Sequence, residues 1–204
     1  MIYGRALYGD EDRNPTGDFY PQHCPQGDLF WQLLEWNFIP CLTVVFRRAC
    51  LAHVGLLEEE APGIEDWDLW VRIAELYPVL AAEEPVAIWR QGNPSSGQFT
   101  SSGERLHRES RRLHRDNWLR LPRAVEAGSA RRHKATRAFA DFASQQLIWR
   151  AMTNLKIKHF PAFARVAVAG ARMYPVGVSK KFLNASTRRF LMSSSTNTRR
   201  GDQT

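Results

Sequence analysis

The stretch GIEDWDLWVRIAELYP, residues 63–78, combines an acidic start with a strongly apolar helical pattern. The spacing predicts a helix that begins near Asp66 and is ended by Pro78. Its predicted buried face comprises Leu69, Trp70, Ile73 and Tyr77. Carboxylates in a first helical turn are stabilised by the unpaired N–H groups there, by roughly 0.3 to 1 kcal/mol each. The acidic start therefore has two interpretations, a plain helix start and a working carboxylate at the mouth of a cleft.

Strand and helix patterns alternate on both sides of this helix, which predicts an α/β module. Upstream, turn chemistry at residues 9–18 separates a first strand from a helix. Downstream, the Gly/Ser-rich segment 91–103 is long enough to be a lid, a binding loop or disordered. The other predicted elements are a strand at residues 1–9, a helix from Asp28 to Pro40, a buried strand at residues 42–46 (LTVVF), a helix closed by Gly55, and one or two strands within residues 78–90.

The composition is that of a globular chain, with 204 residues of which 44% are apolar. One domain with an appendage is the expectation. Residues 1–10 lack the pattern of a signal peptide, and no run of about eighteen apolar residues predicts a membrane span, so the expected compartment is the cytoplasm. The three cysteines form no CxxC pair and have no histidine partners at zinc spacing. We therefore expect reduced thiols rather than a disulfide framework or a structural metal.

Charge divides the chain in two. Residues 1–103 carry 6 Lys and Arg against 15 Asp and Glu, whereas residues 104–204 carry 22 against 6. The net charge is therefore −9 in the first half and +16 in the second. Such an asymmetry indicates that the basic part contacts the acidic half of the same chain, an anionic membrane surface or nucleic acid.

Residues 104–175 show helical patterns without strands and predict a basic helical extension, and residues 176–204 predict a disordered tail. Two near repeats within residues 105–118 predict a mostly solvated helix, with His107 and His114 on its surface. These histidines would lie about 10.5 Å apart along the helix, too far to share one metal. Two further helices are predicted, one around residues 135–153 with an apolar face of Phe139, Phe142, Gln146 and Trp149, and one from Pro161 to Tyr174.

Two acidic strings match the loose DxD pattern that holds a divalent metal under a nucleotide diphosphate, DED at residues 10–12 and DWD at residues 66–68. A metal-holding DxD needs an apolar strand that delivers it into a cleft. The first string leads into a Pro/Gly turn, so turn chemistry is the favoured interpretation there. For Glu65 and Asp66, helix capping and a carboxylate presented into a cleft both remain open.

The order of three segments resembles a known family. These segments are IPCLTVVFRRACLAHVGLLEE at residues 39–59, EDWDLWVRIAELYPV at 65–79, and EEPVAIWRQ at 83–91, which a Ser-rich loop follows. With the Pro-terminated helix before them, they resemble the second half of the catalytic domain of family-2 inverting glycosyltransferases of GT-A fold. The resemblance covers residues 1–103 and implies a partial, GT-A-like α/β module, the acceptor half of such a domain.

The resemblance also implies residue roles. Asp66 matches the family's general base, which takes the proton from the acceptor hydroxyl as that oxygen attacks the sugar's anomeric carbon. A carboxylate at a helix N-terminus is kept ionised at neutral pH, which suits this role. The residues expected to shape the acceptor site are Glu65, Trp67, Asp68, Arg90 and Gln91. A tryptophan face is a natural platform for a sugar ring.

The chain departs from the family at two points. Gln91 and Gly92 stand where many relatives carry a histidine, and the family's nucleotide-binding strands and strand-borne DxD have no counterpart before Met1. The chain is therefore expected to be a truncated or split glycosyltransferase. The family's divalent metal, Mg²⁺ or Mn²⁺, is expected to find its ligands in the missing half, as is most of the site for the nucleotide-sugar donor.

Two functions compete on this evidence. The first is transfer of a sugar from a nucleotide-sugar donor to a glycan or lipid-linked acceptor with inversion, at the inner face of a membrane, whether or not the fragment alone retains activity. The alternative is a non-enzymatic interaction module whose basic half binds an anionic partner, nucleic acid or a membrane. An open edge at the LTVVF strand would also favour self-association.

Overall fold

The computed structural model of the chain describes residues 1–59, 61, 63–90 and 103–182, except for the side chains of residues 180–182. It is an α/β structure with two compact units, Met1–Thr136 and Arg137–Thr204. Its strands are β1 (Ile2–Gly9), β2 (Pro15–Tyr20) and β3 (Leu80–Arg90). Its α-helices are α1 (Phe30–Glu35), α2 (Leu51–Val54), α3 (Glu65–Leu76), α4 (Gly103–Asp116), α5 (Pro122–Glu126), α6 (Gly128–Lys156), α7 (Phe160–Met173) and α8 (Pro175–Phe182). Short 3-10 helices are formed by Cys41–Thr43, Arg48–Cys50 and Trp118–Arg120.

The central strand of the sheet is β1. It pairs antiparallel with β2 and parallel with β3. Glycine in β1 makes room for the branched side chains of β3: a Cβ atom on Gly4 would lie 2.8 Å from Val86, and one on Gly9 would lie 2.6 Å from Ile88. Because β1 lies between them, β2 and β3 are the edge strands of the sheet in the described part of the chain.

Residues 42–46 do not form the predicted buried strand. Cys41–Thr43 is a 3-10 helix, and beyond it only an isolated bridge joins this segment to β1. The hydroxyl of Thr43 donates a hydrogen bond to the carbonyl of Pro40 at 2.8 Å and accepts one from the N–H of Gly4 at 3.2 Å. This side chain holds the segment as a turn beside β1, so the prediction of an open strand edge here was wrong.

Several local predictions are confirmed. Helix α3 buries Leu69, Trp70 and Ile73, as the helical spacing predicts, whereas Tyr77 lies after the helix end and is only partly buried. Gly55 ends α2 with a φ of 78°, a left-handed conformation that glycine adopts readily. The DED string lies in the predicted turn, where the carboxylate of Asp10 accepts hydrogen bonds from the backbone and side-chain amides of Asn14.

Other boundaries differ from the predictions. The predicted turn after β1 is shorter, because residues from Pro15 onward pair with β1 as strand β2. Helix α1 begins two residues after Asp28 and ends at Glu35, before Pro40 is reached. Residues 78–90 contribute one strand, β3. The predicted loop at residues 91–102 lies outside the described residues.

Helix α3 is fixed by the buried carboxylate of Asp68, which is 3% exposed. One of its oxygens accepts a hydrogen bond from the indole N–H of Trp118 at 2.8 Å, and the other pairs with Arg72 at 2.7 Å. The guanidinium of Arg72 also donates to the carbonyls of Val54 and Leu56. Asp68 therefore joins α3 to the segment after α4 and, through Arg72, to the end of α2.

Trp67 extends this core on the neighbouring side of α3. Its indole N–H donates to the carbonyl of Leu33 at 2.7 Å, and its ring lies against that of Trp118 with the centroids 4.9 Å apart. Both rings are buried. Helices α1 and α3 and the Trp118–Arg120 turn thus share one aromatic cluster.

The first part of the basic extension belongs to the acidic unit. Arg123 pairs with Asp28, and its guanidinium lies over the ring of Phe30 at 5.1 Å. Arg131 lies over Trp31 at 4.8 Å. The expectation that basic residues contact the acidic half of the chain is met here, and the unit boundary falls after Thr136 rather than after residue 103.

His114 was wrongly predicted to lie on the surface. It is 2% exposed, and its ring meets that of Trp118 edge-on at a centroid distance of 6.0 Å. Burial lowers the pKa of His114 to about 4, so the imidazole is neutral at physiological pH. His107, on the same helix, is half-buried.

The second unit is built by close packing of small residues. A Cβ atom on Gly177 of α8 would lie 2.2 Å from the hydroxyl of Ser144 on α6, and one on Gly170 of α7 would lie 3.7 Å from Leu147. Trp149 is 58% exposed, so the prediction that it belongs to the buried face of α6 was wrong. Helix α8 occupies the start of the segment predicted to be a disordered tail, and residues 183–204 lie outside the described part.

Among the described residues, none of the helices combines the length and the apolar character that crossing a bilayer requires.

The buried position of Asp68 predicts that this residue contributes strongly to the free energy of unfolding. We expect Asp68→Ala to lower the free energy of unfolding by about 3 kcal/mol or more, because it leaves Arg72 without its counter-ion in a largely buried site. The measurement is urea denaturation followed by circular dichroism.

Glu104→Ala is the matched control. The pair of Glu104 with Arg108 has the same i, i+4 spacing but lies in solvent, with side-chain exposures of 33% and 66%. Its loss should cost less than about 0.5 kcal/mol. Equal losses in the two variants would contradict the role assigned to Asp68.

Candidate functional site

Asp66 is the second residue of α3 and projects from the helix start. Helix α3 begins after Gly63, whose φ is 89°, and Ile64 at the N-cap position offers no side-chain hydrogen bond. One carboxylate oxygen of Asp66 accepts the N–H of Trp67 at 2.6 Å. The carboxylate of Glu65 accepts the N–H of Gly63. Both acidic residues thus satisfy free N–H groups at the helix start, which is the plain structural role that the sequence left open.

Burial gives the Asp66 carboxylate a second property. It raises the pKa of Asp66 to about 6, and the charge of Glu65 adds to the rise, while hydrogen bonds from the Trp67 N–H and the Asn37 side chain oppose it. A carboxyl group with such a pKa is mostly ionised at pH 7 and binds a proton more readily than an exposed aspartate. It therefore has the properties of a general base near neutral pH.

Asn37 is the residue that the sequence analysis missed. Its side-chain amide hydrogen-bonds Asp66, its side-chain oxygen accepts the N–H of Ile39 at 3.1 Å, and its carbonyl accepts the hydroxyl of Tyr20 at 3.3 Å. Asn37 falls within the helix predicted from Asp28 to Pro40, although α1 ends two residues earlier. An amide within an apolar run was the signal that this side chain has a polar partner.

Cys41 completes the surroundings of the two carboxylates. Cys41 is exposed, but desolvation of its thiol by the neighbouring chain raises the thiol pKa, and the negative charges of Asp66 and Glu65 raise it further. A thiol beside two carboxylates stays protonated at neutral pH, and nucleophilic cysteines need the opposite environment. The chemistry of this cluster therefore centres on Asp66.

The other residues predicted to bind the acceptor have different positions. Trp67 is 8% exposed and packed in the aromatic cluster, so its ring is not available as an open platform for a sugar. Asp68 lines an open depression of about 520 Å³, but both of its oxygens are already bonded within the protein. Arg90 is exposed at the end of β3, opposite Gly9. Gln91 lies outside the described residues.

A cleft of about 390 Å³ adjoins the segment that carries Asn37. Trp36 and Phe38, the two neighbours of Asn37, both line it. The full lining consists of Tyr20, Pro21, Gln22, His23, Pro25, Gln32, Glu35, Trp36 and Phe38. Aromatic walls with a few amide and carboxylate groups suit a sugar ring, which offers an apolar face and a rim of hydroxyls.

The described residues do not fit the divalent metal that the resemblance implies. Within residues 1–59, 61, 63–90 and 103–179, no three His, Cys, Asp or Glu side chains lie close enough to hold an ion. The carboxylate of Asp10 is bonded to Asn14, and that of Asp68 is bonded to Arg72 and Trp118. In neither DxD string, therefore, are both aspartates free of partners within the protein.

Comparison with known proteins adds no assignment: no protein-family model, curated protein or solved structure matches the chain.

The raised pKa of Asp66 predicts a pH-dependent effect on stability. Because its folded-state pKa of about 6 lies above the value near 4 of an unfolded chain, the folded state binds this proton more tightly. Asp66 therefore lowers the free energy of unfolding as pH rises from about 4 to about 7, by roughly 1 to 3 kcal/mol at the upper end. We expect Asp66→Asn to raise the free energy of unfolding at pH 8 and to leave it nearly unchanged at pH 4, measured by urea denaturation.

Asp10→Asn is the control of opposite sign. Hydrogen bonds from Asn14 lower the pKa of Asp10, so this carboxylate stabilises the folded chain above its unfolded pKa. The control should therefore lower the free energy of unfolding at pH 8. A destabilised Asp66→Asn at pH 8 would contradict the account of a partly buried carboxylate whose ionisation lowers the stability of the fold.

Proposed function

We propose that the chain is the acceptor-side part of an inverting glycosyltransferase with a GT-A-like fold, and that Asp66 is its general base. One observation carries the proposal: the carboxylate of Asp66, in the first turn of α3, has its pKa raised to about 6 by burial. The resemblance of residues 1–103 to family-2 glycosyltransferases supports it, because Asp66 is the residue that matches the family's base.

The proposed chemistry is a single displacement. Asp66 accepts the proton of the acceptor hydroxyl while that oxygen forms a bond to the anomeric carbon of the donor sugar. The bond from this carbon to the nucleoside diphosphate breaks at the same time, and the diphosphate leaves with the electron pair. Attack from the face opposite the leaving group inverts the configuration. Asn37 is proposed as a positioning residue, since its side chain favours the ionised form of the carboxylate.

The acceptor is a glycan or a lipid-linked sugar, bound from the side of Glu65 and the aromatic cleft. The cleft offers the rings of Tyr20 and Trp36 for stacking and the side chain of Glu35 for hydroxyl groups. Glu65 and Arg90 remain proposed contributors to acceptor binding. Trp67 and Asp68 support the site from the core instead.

Asp66→Asn should lower sugar transfer by about 10² to 10⁴, the usual contribution of a general base. The measurement is turnover by the chain joined to a nucleotide-binding half, because the donor site is expected there. Glu83→Gln, at an exposed position of β3, is the control and should leave turnover unchanged. Turnover of Asp66→Asn within threefold of wild type would reject the assignment.

Asn37→Ala tests whether Asn37 acts on the base through the pH dependence of the rate, which a purely structural role would not change. The hydrogen bond from Asn37 lowers the pKa of Asp66, so its loss should shift the acidic limb of the pH–rate profile to higher pH. An unshifted limb would show that Asn37 does not act on the base.

The chain alone is expected to bind nucleotide sugars with a Kd weaker than about 1 mM, with or without Mg²⁺ or Mn²⁺. A metal that bridges a diphosphate needs several oxygen ligands held in place, and the described residues supply no such group. The measurement is titration calorimetry with nucleotide sugars and each metal. Micromolar, metal-dependent binding would contradict the assignment to the acceptor side.

The second candidate is a non-enzymatic module that binds an anionic partner. It is favoured by the basic composition of residues 104–204, of which the part up to Thr136 belongs to the first unit. The Asp66→Asn variant separates the two candidates, since a binding module without catalysis would not depend on this carboxylate.

A further inference from the structure

The turn between α6 and α7 is an exposed apolar and basic tip. All six residues from Lys156 to Pro161 are exposed, and they include two large apolar side chains, Ile157 at 67% and Phe160 at 59% exposure. Lys156 and Lys158 stand beside them. We call residues 156–161 the tip.

The backbone of the tip is ordered by hydrogen bonds, so its side chains are held outward. The N–H groups of Ile157, Lys158 and His159 donate to carbonyls in the last turn of α6. Lys158 has a φ of 57°, the left-handed conformation that closes a helix. The ring of His159 then accepts the N–H of Ala162 and caps the start of α7. The ordered turn therefore holds the side chains of Ile157 and Phe160 in solvent.

Helix α7 continues the apolar surface from the tip. Its buried side is formed by small residues, Ala169 and Gly170, where a Cβ atom on Gly170 would lie 3.7 Å from Leu147 and 3.5 Å from Val178. Its outward side carries an exposed stripe at i, i+4, i+8 and i+11 spacing, formed by Phe160, Ala164, Val168 and Ala171. A surface helix of a globular protein normally shows polar residues there.

The stretch of chain that contains this stripe carries charge of one sign. Residues 142–182 contain seven Lys and Arg and no Asp or Glu. Lys156 and Lys158 lie at the tip, and Arg165 and Arg172 are exposed on α7. An apolar stripe whose own stretch of chain, residues 142–182, carries only cations complements a surface that offers anionic groups above an apolar layer.

We propose that the tip and the outward stripe of α7 dock on an anionic lipid bilayer, with Ile157 and Phe160 inserted among the lipids and the flanking lysines and arginines at the headgroups. Helix α7 has 14 residues and is about 21 Å long, shorter than the roughly 30 Å apolar core of a bilayer, so it lies along the interface. The proposal does not depend on sugar transfer, although a membrane position would suit a lipid-linked acceptor.

The test is co-sedimentation of the full chain with vesicles of phosphatidylcholine alone or with about a third phosphatidylglycerol. Each Lys or Arg near an anionic surface strengthens binding by about fivefold. We expect binding to the anionic vesicles at least tenfold tighter than to the neutral ones, and weaker as salt rises. Indifference to lipid charge would overturn the proposal.

Two variants separate the apolar and the electrostatic parts. Ile157→Ser with Phe160→Ser should weaken binding to anionic vesicles at least tenfold at constant salt, with the urea midpoint unchanged because both side chains are exposed. Lys156→Gln with Lys158→Gln should weaken it to a similar degree. Leu56→Ser with Val125→Ser removes two equally exposed apolar side chains from the first unit and should change binding less than twofold.

Two other outcomes would reassign the surface. Binding to RNA as tight as that to vesicles, weakened by the lysine changes and not by the serine changes, would identify a nucleic-acid surface and overturn the proposal. No vesicle binding, together with a dimer in sedimentation velocity that Ile157→Ser with Phe160→Ser dissociates, would identify a contact between copies of the chain.

Discussion

The buried carboxylate of Asp68 connects the parts of the first unit that are distant in sequence. It receives the indole N–H of Trp118 from 50 residues away and, through Arg72, reaches the carbonyls at the end of α2. Taking a carboxylate out of water is costly, so the arrangement persists only because both oxygens are bonded. Since Asp66 is two residues upstream on the same helix, the direction of its carboxylate depends on this anchor. The same helical turn thus holds one aspartate whose charge is fully compensated and another whose charge is not.

Two opposing effects act on Asp66, and their magnitudes decide the outcome. The helix N-terminus favours the ionised form by roughly 0.3 to 1 kcal/mol, which is why the sequence predicted a carboxylate that is kept ionised at neutral pH. Burial raises the pKa from 3.8 to about 6, which corresponds to about 3 kcal/mol in favour of the protonated form. Burial is therefore the larger effect. The result suits a general base better than the original expectation, because a base is most effective when its pKa lies near the working pH.

The sequence predicted the elements that depend on local signals. The apolar spacing of α3, the glycine after α2 and the limits of α7 could be predicted within one or two residues. Elements that depend on partners distant in sequence could not be predicted in this way. Strand β2 is rich in turn residues yet pairs with β1, and LTVVF has a strand composition although the hydroxyl of Thr43 holds it as a turn. The site was predicted as far as the ED pair, whereas its link to Asn37 depends on a contact across 29 positions that no local pattern encodes.

Helix α7 shows why apolar spacing alone does not identify the buried side of a helix. Its sequence is apolar all round apart from Arg165 and Arg172, so large residues would normally be expected inside. The buried residues of α7 are small, Ala169 and Gly170, and Gly170 lies against Leu147 and Val178, while Phe160 and Val168 are exposed. Small residues therefore face the neighbouring helices, and larger apolar residues form the surface that the second unit presents. In water the apolar side chains of this surface stay exposed and contribute no stabilisation. At a boundary between charged headgroups and lipid chains, both the stripe and its flanking cations would be stabilised.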